Sequence, residues 1–182
     1  MTEFNLECQS IRPNIGMDER KCHECGDMLS KLIADEFVLF IKAINWRFNV
    51  MGKHKEMLKD LFKVQAETFR CNMELASKEM RNLGYRVPHV TEKLYLTRIS
   101  PSPKDKWPDE ITMIRILLED SERVLLYLRR DAKRLDEELE VPDLAEFYAW
   151  ILRVHKEMAK KLRAHLEEKG GRSSKSSSWK SY

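Results

Sequence analysis

Residues 21–26, KCHECG, contain Cys22, His23 and Cys25 at a spacing that can hold zinc or form a redox pair. A structural zinc ion needs four ligands, and no second cluster accompanies the segment, so the fourth ligand would have to come from Cys8 or from another subunit. We therefore expect the two cysteines to pack at the start of a helix, with zinc binding or redox chemistry as the alternative.

Residues 45–65, NWRFNVMGKHKEMLKDLFKVQ, place Lys59 and Lys63 on one face of a helix that follows a glycine turn. The spacing leaves open whether this face binds something or is only solvated. At the start of the same helix His54, Glu56 and Asp60 could hold a weakly bound metal ion. Acids at a helix start also suit the helix dipole, and we favour that explanation.

The last fourteen residues, 169–182 (KGGRSSKSSSWKSY), carry four basic side chains and no acid, while residues 1–168 hold 29 basic and 30 acidic residues. Their Gly and Ser content predicts a flexible, disordered tail. Lys and Arg attract DNA by releasing counterions, and aromatic rings can stack on unpaired bases. We predict a DNA-binding tail, with a merely solubilising end as the alternative; its contacts would be Lys169, Arg172, Lys175, Trp179 and Lys180.

The composition limits the class of protein. A chain of 182 residues with 35% charged and 42% hydrophobic residues suits one soluble domain, and its few Gly and Pro residues favour an all-α fold. The start of the chain does not read as a signal peptide, and the longest apolar run, residues 37–41, is too short to cross a membrane. We expect a cytoplasmic protein with reduced cysteines and no membrane contact, and we expect Cys71 to be a core residue.

Apolar residues recur every three or four positions in four long stretches, which predicts four helices. They cover about 18–50, 54–83, 110–139 and 144–169, and the first stripe includes Ile41, Ile44 and Phe48. Four prolines between 85 and 109 predict a long crossover, in which TEKLYLT could form a short helix. The prediction is a ferritin-like four-helix bundle over residues 18–168, preceded by an extension, 1–17, and followed by the tail, 169–182.

Bundles of this class commonly hold two metal ions between Glu-x-x-His pairs. The residues three positions before the five histidines are Arg20, Met51, Arg86, Leu152 and Leu162. This pattern excludes an intrachain di-iron centre of that type.

Three segments in order resemble the Dps family of miniature ferritins, and the resemblance covers roughly residues 14–168. LSKLIADEFVLFIKAINWRFNVMGKHKEMLKDLF is similar to the family's first two helices, with Asn49, Val50 and Gly52 where its HWNV-x-G signature runs. SPSPKDKWPDEITMIRILLEDSE is similar to its crossover, and RVHKEMAKKLRAHLE to its last helix.

The resemblance implies a hollow shell of twelve subunits that oxidises ferrous iron at a site shared across a two-fold interface. Two histidines and an acid of one subunit would meet two acids of its partner. In this sequence Ile44 and Lys59 stand at the histidine positions, Lys63 at the first acid, and Glu74 and Lys78 at the final pair. Arg47 and Phe48 replace a His and the Trp of the signature, so only Glu74 could still bind metal.

Protonated lysine has no lone pair and carries the wrong charge for an iron ligand. We therefore expect a Dps-like dodecamer at the nucleoid that binds DNA and lacks a standard ferroxidase centre, with no required cofactor. The alternatives are a mini-ferritin that oxidises ferrous iron with peroxide and stores it, and a scaffold protein with neither activity. The lysines could pair with Glu74 and with Asp60 or Glu67 across the dimer, or could simply be solvated.

Overall fold

The computed structural model describes residues 6–8, 13–100 and 107–170, with side chains up to residue 167 in the last helix. It confirms the predicted bundle of four long helices with a short helix in the crossover. The helices are α1 (Glu19–Asn49), α2 (Lys55–Asn82), α3 (Val90–Leu96), α4 (Glu110–Glu137) and α5 (Pro142–Gly170). The pairs α1–α2 and α4–α5 pack side by side, and the short turns within each pair make its helices antiparallel.

Local signals set the ends of these helices. The carboxylates of Asp18 and Asp109 each accept a hydrogen bond of 2.8 Å from the backbone N–H three residues on, which caps α1 and α4. Gly84 has a φ of 87°, the left-handed conformation in which a glycine commonly follows the end of a helix, here α2. The last helix begins at Pro142, slightly earlier than predicted, because proline is tolerated in the first turn of a helix.

The core follows most of the predicted stripes, with Phe62, Phe69 and Tyr148 among its largest fully buried side chains. Three predicted core positions are wrong. Ile41 and Phe48 are 39% and 71% exposed, because the buried face of α1 turns instead through Trp46, and Cys71 lies on the exposed face of α2.

A largely buried arginine ties the crossover to the bundle, its side chain being 12% exposed. Arg98, which follows α3, donates from Nε to Asp35 of α1 at 2.7 Å and from Nη1 to Asp131 of α4 at 2.8 Å. Its guanidinium also stacks on the Tyr127 ring, 4.3 Å from the centroid. Burial raises the pKa of Asp35, and the Arg98 cation opposes that rise. The long connection is therefore tied to both helix pairs.

Among the described residues no helix is both long and apolar enough to span a bilayer.

Candidate functional site

The lysine face of α2 is the exposed stripe that carries Lys59, Lys63, Glu74 and Lys78. The opposite face of the helix buries apolar residues such as Leu58, Phe62 and Phe69, so these polar positions point outward. Lys63, Glu74 and Lys78 are exposed and Lys59 is half-buried. The structure thus places the four predicted positions of α2 on one accessible surface.

Two of these side chains are held by neighbours on the same helix. Lys59 Nζ lies 3.1 Å from Glu56 Oε1, and the guanidinium of Arg70 pairs with the carboxylate of Glu74. Within the described part of the chain, neither Lys63 nor Lys78 has an ion-pair partner. Exposed pairs of this kind contribute little to stability, so the face can exchange partners at low cost.

The lysine face does not suit ferrous iron. Glu74 is its one remaining donor at the matched positions, and Ile44 of α1, packed partly against the core, has no donor atom. Nowhere in the described ranges do three His, Cys, Asp or Glu side chains converge as a metal site. A dication about 4 Å from an ammonium is repelled by several kcal/mol at an effective dielectric constant near 20.

Large apolar side chains surround the turn between α1 and α2, beside the lysine face. Phe48 and Met51 are 71% and 81% exposed, and the Arg47 guanidinium lies 5.3 Å from the centroid of the Phe48 ring. Met57 and Val64 of α2 are also more than two-fifths exposed. Exposed apolar side chains of this size make the turn a candidate surface for contact with another molecule.

The segment 21–26 does not assemble a metal site in this structure. Cys25 is fully buried, Cys22 is half-buried, and His23 is exposed, with its ring edge-to-face to the Tyr85 ring and 6.4 Å between the two centroids. Cys22 and Cys25, three positions apart, lie on the same side of the helix, whereas His23 points away from them, so the three side chains do not converge on one ion. Burial raises the pKa of the Cys25 thiol to about 12, with the nearby Cys22 as the next cause.

The less favoured alternative from the sequence, a metal group at the start of α2, does not form among the described residues. His54 occupies the N-cap position and its side chain makes no capping hydrogen bond, while Glu56 pairs with Lys59. Of the predicted DNA-binding residues, Lys169 lies near the end of α5, and Arg172, Lys175, Trp179 and Lys180 lie outside the described residues.

Sequence reasoning missed a polar cluster at the centre of the bundle. The Oε1 atom of Glu36 (α1) lies 2.6 Å from Nε2 of His155 (α5), and Asn72 (α2) donates to the same oxygen at 3.3 Å. Glu36 Oε2, Asn72 Oδ1 and His155 Nδ1 are buried without a hydrogen-bond partner in the described part of the chain. The one sign of this cluster in the sequence is Glu36, an acid that lies among the apolar positions of the α1 stripe, between Ile33 and Phe37.

A second buried pair joins the two halves of the bundle. Lys42 Nζ of α1 lies 2.5 Å from Asp120 Oδ2 of α4, and their side chains are 3% and 9% exposed. Burial raises the pKa of Asp120, while the hydrogen bond and the charge of Lys42 lower it. Interior charges of this kind need their partner to remain ionised.

The ferritin-like domain model matches residues 26–169, which include most of α1 and nearly all of the other long helices. The chain belongs to the ferritin-like family. It is 25% identical over 157 residues to an uncharacterized low temperature-induced protein of Nostoc, a match that covers 86% of this chain and 87% of that protein.

Solved structures of Dps proteins share its fold. An archaeal Dps homologue from Halobacterium salinarum superposes with a TM-score of 0.79 at 20% identity, covering 92% of this chain and 91% of that one. DpsC from Streptomyces coelicolor superposes with a TM-score of 0.81 at 18% identity, covering 91% and 96%. The predicted Dps-like, ferritin-like architecture is therefore confirmed at the level of the fold.

Proposed function

We propose that the chain assembles into a Dps-like hollow dodecamer that binds DNA and lacks a standard ferroxidase centre. The absence of a ferroxidase centre is inferred from the lysine face of α2, where ammonium groups occupy three positions that bind iron in the Dps family. The remaining donor, Glu74, is already paired with Arg70. A cation-rich face with one engaged carboxylate repels ferrous iron instead of binding it.

The same face supports assembly. In the Dps family this site is shared across a two-fold axis, so Lys59 and Lys63 of one copy would approach Glu74 and Lys78 of the next. Glu67 and Asp60 are exposed on the same helix and add carboxylates that lysines can meet. The exposed Phe48 and Met51 supply apolar area beside them. Ammonium–carboxylate pairs would then replace the metal as the link between subunits.

The iron-oxidation assay tests the absence of a ferroxidase centre. Purified full-length protein mixed with ferrous iron and hydrogen peroxide should oxidise iron no faster than peroxide alone. Oxidation well above that background, abolished by Glu74→Ala, would overturn the proposal, because it would place iron at the lysine face.

The DNA-binding part rests on the basic tail. One tail with four basic residues binds weakly, but twelve tails on one shell raise the effective concentration of the others once the first has bound. Binding of this kind is independent of DNA sequence and would place the protein at the nucleoid. A gel shift comparing the full chain with a version that ends at Lys169 tests it, and equal retardation of DNA by both would remove the tail from the mechanism.

A second candidate is a mini-ferritin whose iron site has moved into the bundle. The buried cluster of Glu36, Asn72 and His155 favours it, because three unsatisfied polar atoms there could be met by a bound ion. With one carboxylate and one imidazole, the cluster is poorer in donors than a two-metal centre. Oxidation that Glu36→Gln abolishes and Glu74→Ala leaves unchanged would favour this candidate over the first.

A further inference from the structure

We propose that Cys8 and Cys22 form a thiol pair that hydrogen peroxide converts to a disulfide, tying the N-terminal segment (residues 6–8) to α1. This inference is independent of the proposed function. The sequence spacing suggests that Cys22 pairs with Cys25. In this proposal its partner is Cys8, which lies 14 positions before it in the chain.

The N-terminal segment is held where Cys8 can reach the bundle. Leu6 is buried in the core, and the Glu7 carbonyl accepts a hydrogen bond of 2.9 Å from Arg86 N. The Glu7 carboxylate also pairs with the Arg86 guanidinium at 2.8 Å. Cys8 itself forms an antiparallel bridge with Tyr85, immediately after α2. These contacts of Leu6, Glu7 and Cys8 hold the segment against the chain that follows α2.

Cys8 and Cys22 line the same small cavity, of about 120 Å³, together with Met17, Leu83 and Gly84. Both cysteines are half-buried, so a molecule little larger than water can reach them. A disulfide needs its two Cα atoms within about 7 Å of each other, so forming the bond would draw the two sides of this cavity together. Formation of the disulfide would close this cavity.

The other two cysteines are poorly suited to this reaction. Cys25 is fully buried, and the desolvation that raises its pKa to about 12 leaves almost no thiolate near neutral pH. Cys71 is exposed in the middle of α2, and no other cysteine lies on that helix. It can be oxidised but has no neighbour among the described cysteines of its own chain, which makes it an internal control.

Cys22 is the thiol that attacks peroxide in this proposal. It is half-buried, and its backbone N–H donates to the Asp18 carbonyl at 3.0 Å, which places the residue near the start of α1, the positive end of the helix dipole. The Cys22 sulfur forms an S–O bond as the O–O bond breaks and hydroxide leaves. The Cys8 thiol then attacks that sulfur, the S–S bond forms, and water leaves. Two thiols lose two electrons, and one peroxide becomes two waters.

Peptide mapping of the full-length protein tests the pairing. Reduced protein is treated with a small excess of hydrogen peroxide, alkylated, and digested without reductant by trypsin and a Glu-specific protease. Cleavage after Lys21 and Glu24 puts Cys22 and Cys25 in different peptides. We expect a Cys8–Cys22 linked peptide whose mass is about 2 Da below the sum of its parts. A Cys22–Cys25 link, or Cys8 and Cys22 both alkylated while Cys71 is oxidised, would overturn the proposal.

Variants separate the two roles. Cys8→Ser should lose the link and accumulate a sulfenic acid at Cys22 that dimedone captures, whereas Cys22→Ser should lose both products. Cys71→Ser should keep the Cys8–Cys22 link, and so should Cys25→Ala if it folds as the parent does by circular dichroism. A dimedone adduct on Cys8 in Cys22→Ser, with none on Cys22 in Cys8→Ser, would contradict the assigned order of attack.

Discussion

Glu36 and His155 meet at the centre of the bundle, with Glu36 Oε1 2.6 Å from His155 Nε2 and both side chains fully buried. They stand on α1 and α5, the first and last helices, and Asn72 of α2 completes the contact. The Phe69 ring packs beside the imidazole, with 5.8 Å between the two ring centroids. The contact therefore links helices from both antiparallel pairs.

Removing one member of this pair should destabilise the protein strongly. His155→Leu leaves the Glu36 carboxylate in the core without its strongest partner, which costs about 3–5 kcal/mol in the free energy of unfolding. The double variant Glu36→Met/His155→Leu should recover most of that loss, because no unpaired charge remains. Urea unfolding followed by circular dichroism measures both. Additive losses in the double variant would show that the contact itself contributes little.

The Lys42–Asp120 pair predicts a pH-dependent variant. Lys42→Met removes the partner that opposes the raised pKa of Asp120, so that pKa rises further. When the pKa of an acid is higher in the folded protein than the unfolded value of about 3.8, the acid adds stability at pH values below 3.8. That stability is lost as the pH rises from 3.8 through the folded pKa. The deficit of Lys42→Met relative to the parent should therefore be largest near pH 8, at about 3–5 kcal/mol, and shrink toward pH 5.

Urea unfolding at several pH values tests this prediction. The matched control is Lys42→Met/Asp120→Asn, which has no titrating group at the site and should show a deficit that changes little with pH. A deficit of Lys42→Met that is equally constant between pH 5 and pH 8 would mean that Asp120 does not govern it.

The helices could be predicted from the sequence because their signals are local. Apolar periodicity, the caps at Asp18 and Asp109, and the glycine at 84 act within a few residues of each helix end. Phe48 was misplaced because an apolar residue at the edge of a stripe looks the same whether it packs in the core or against another molecule.

The polar interior could not be predicted in the same way. The partners Glu36 and His155 are 119 positions apart, and Lys42 and Asp120 are 78 apart. Periodicity shows that a charged residue lies near a buried face, but it does not show which distant residue satisfies it. For the lysine face, the resemblance identified the positions, and the structure added that all but the half-buried Lys59 are exposed and that Arg70 pairs with Glu74.

Restoring metal donors to the lysine face should restore iron chemistry if that face is shared between subunits as proposed. The triple variant Lys59→His, Lys63→Asp and Lys78→Glu supplies an imidazole and two carboxylates beside Glu74. Only the exposed Lys59–Glu56 pair is lost, so the fold should be little affected. The variant should oxidise ferrous iron with peroxide well above the parent rate.

Adding Glu74→Ala to the triple variant is the control and should reduce the restored oxidation. If the triple variant has the same oligomeric mass as the parent but oxidises iron no faster, the matched positions do not meet across an interface.

The basic tail makes a prediction about salt. If the four basic residues of one tail each neutralise a phosphate, the logarithm of the DNA affinity should fall with the logarithm of salt concentration at a slope of roughly −3.6 per engaged tail. Lys175→Ala/Lys180→Ala removes two of the four charges and should reduce that slope by about half. Lys160→Ala/Lys161→Ala removes two exposed charges from α5 instead and should leave the slope unchanged. Fluorescence anisotropy with a short duplex, at salt concentrations from about 50 to 200 mM, gives the slope for the parent and for each double variant. Equal slopes for the two double variants would show that binding depends on overall charge and not on the tail.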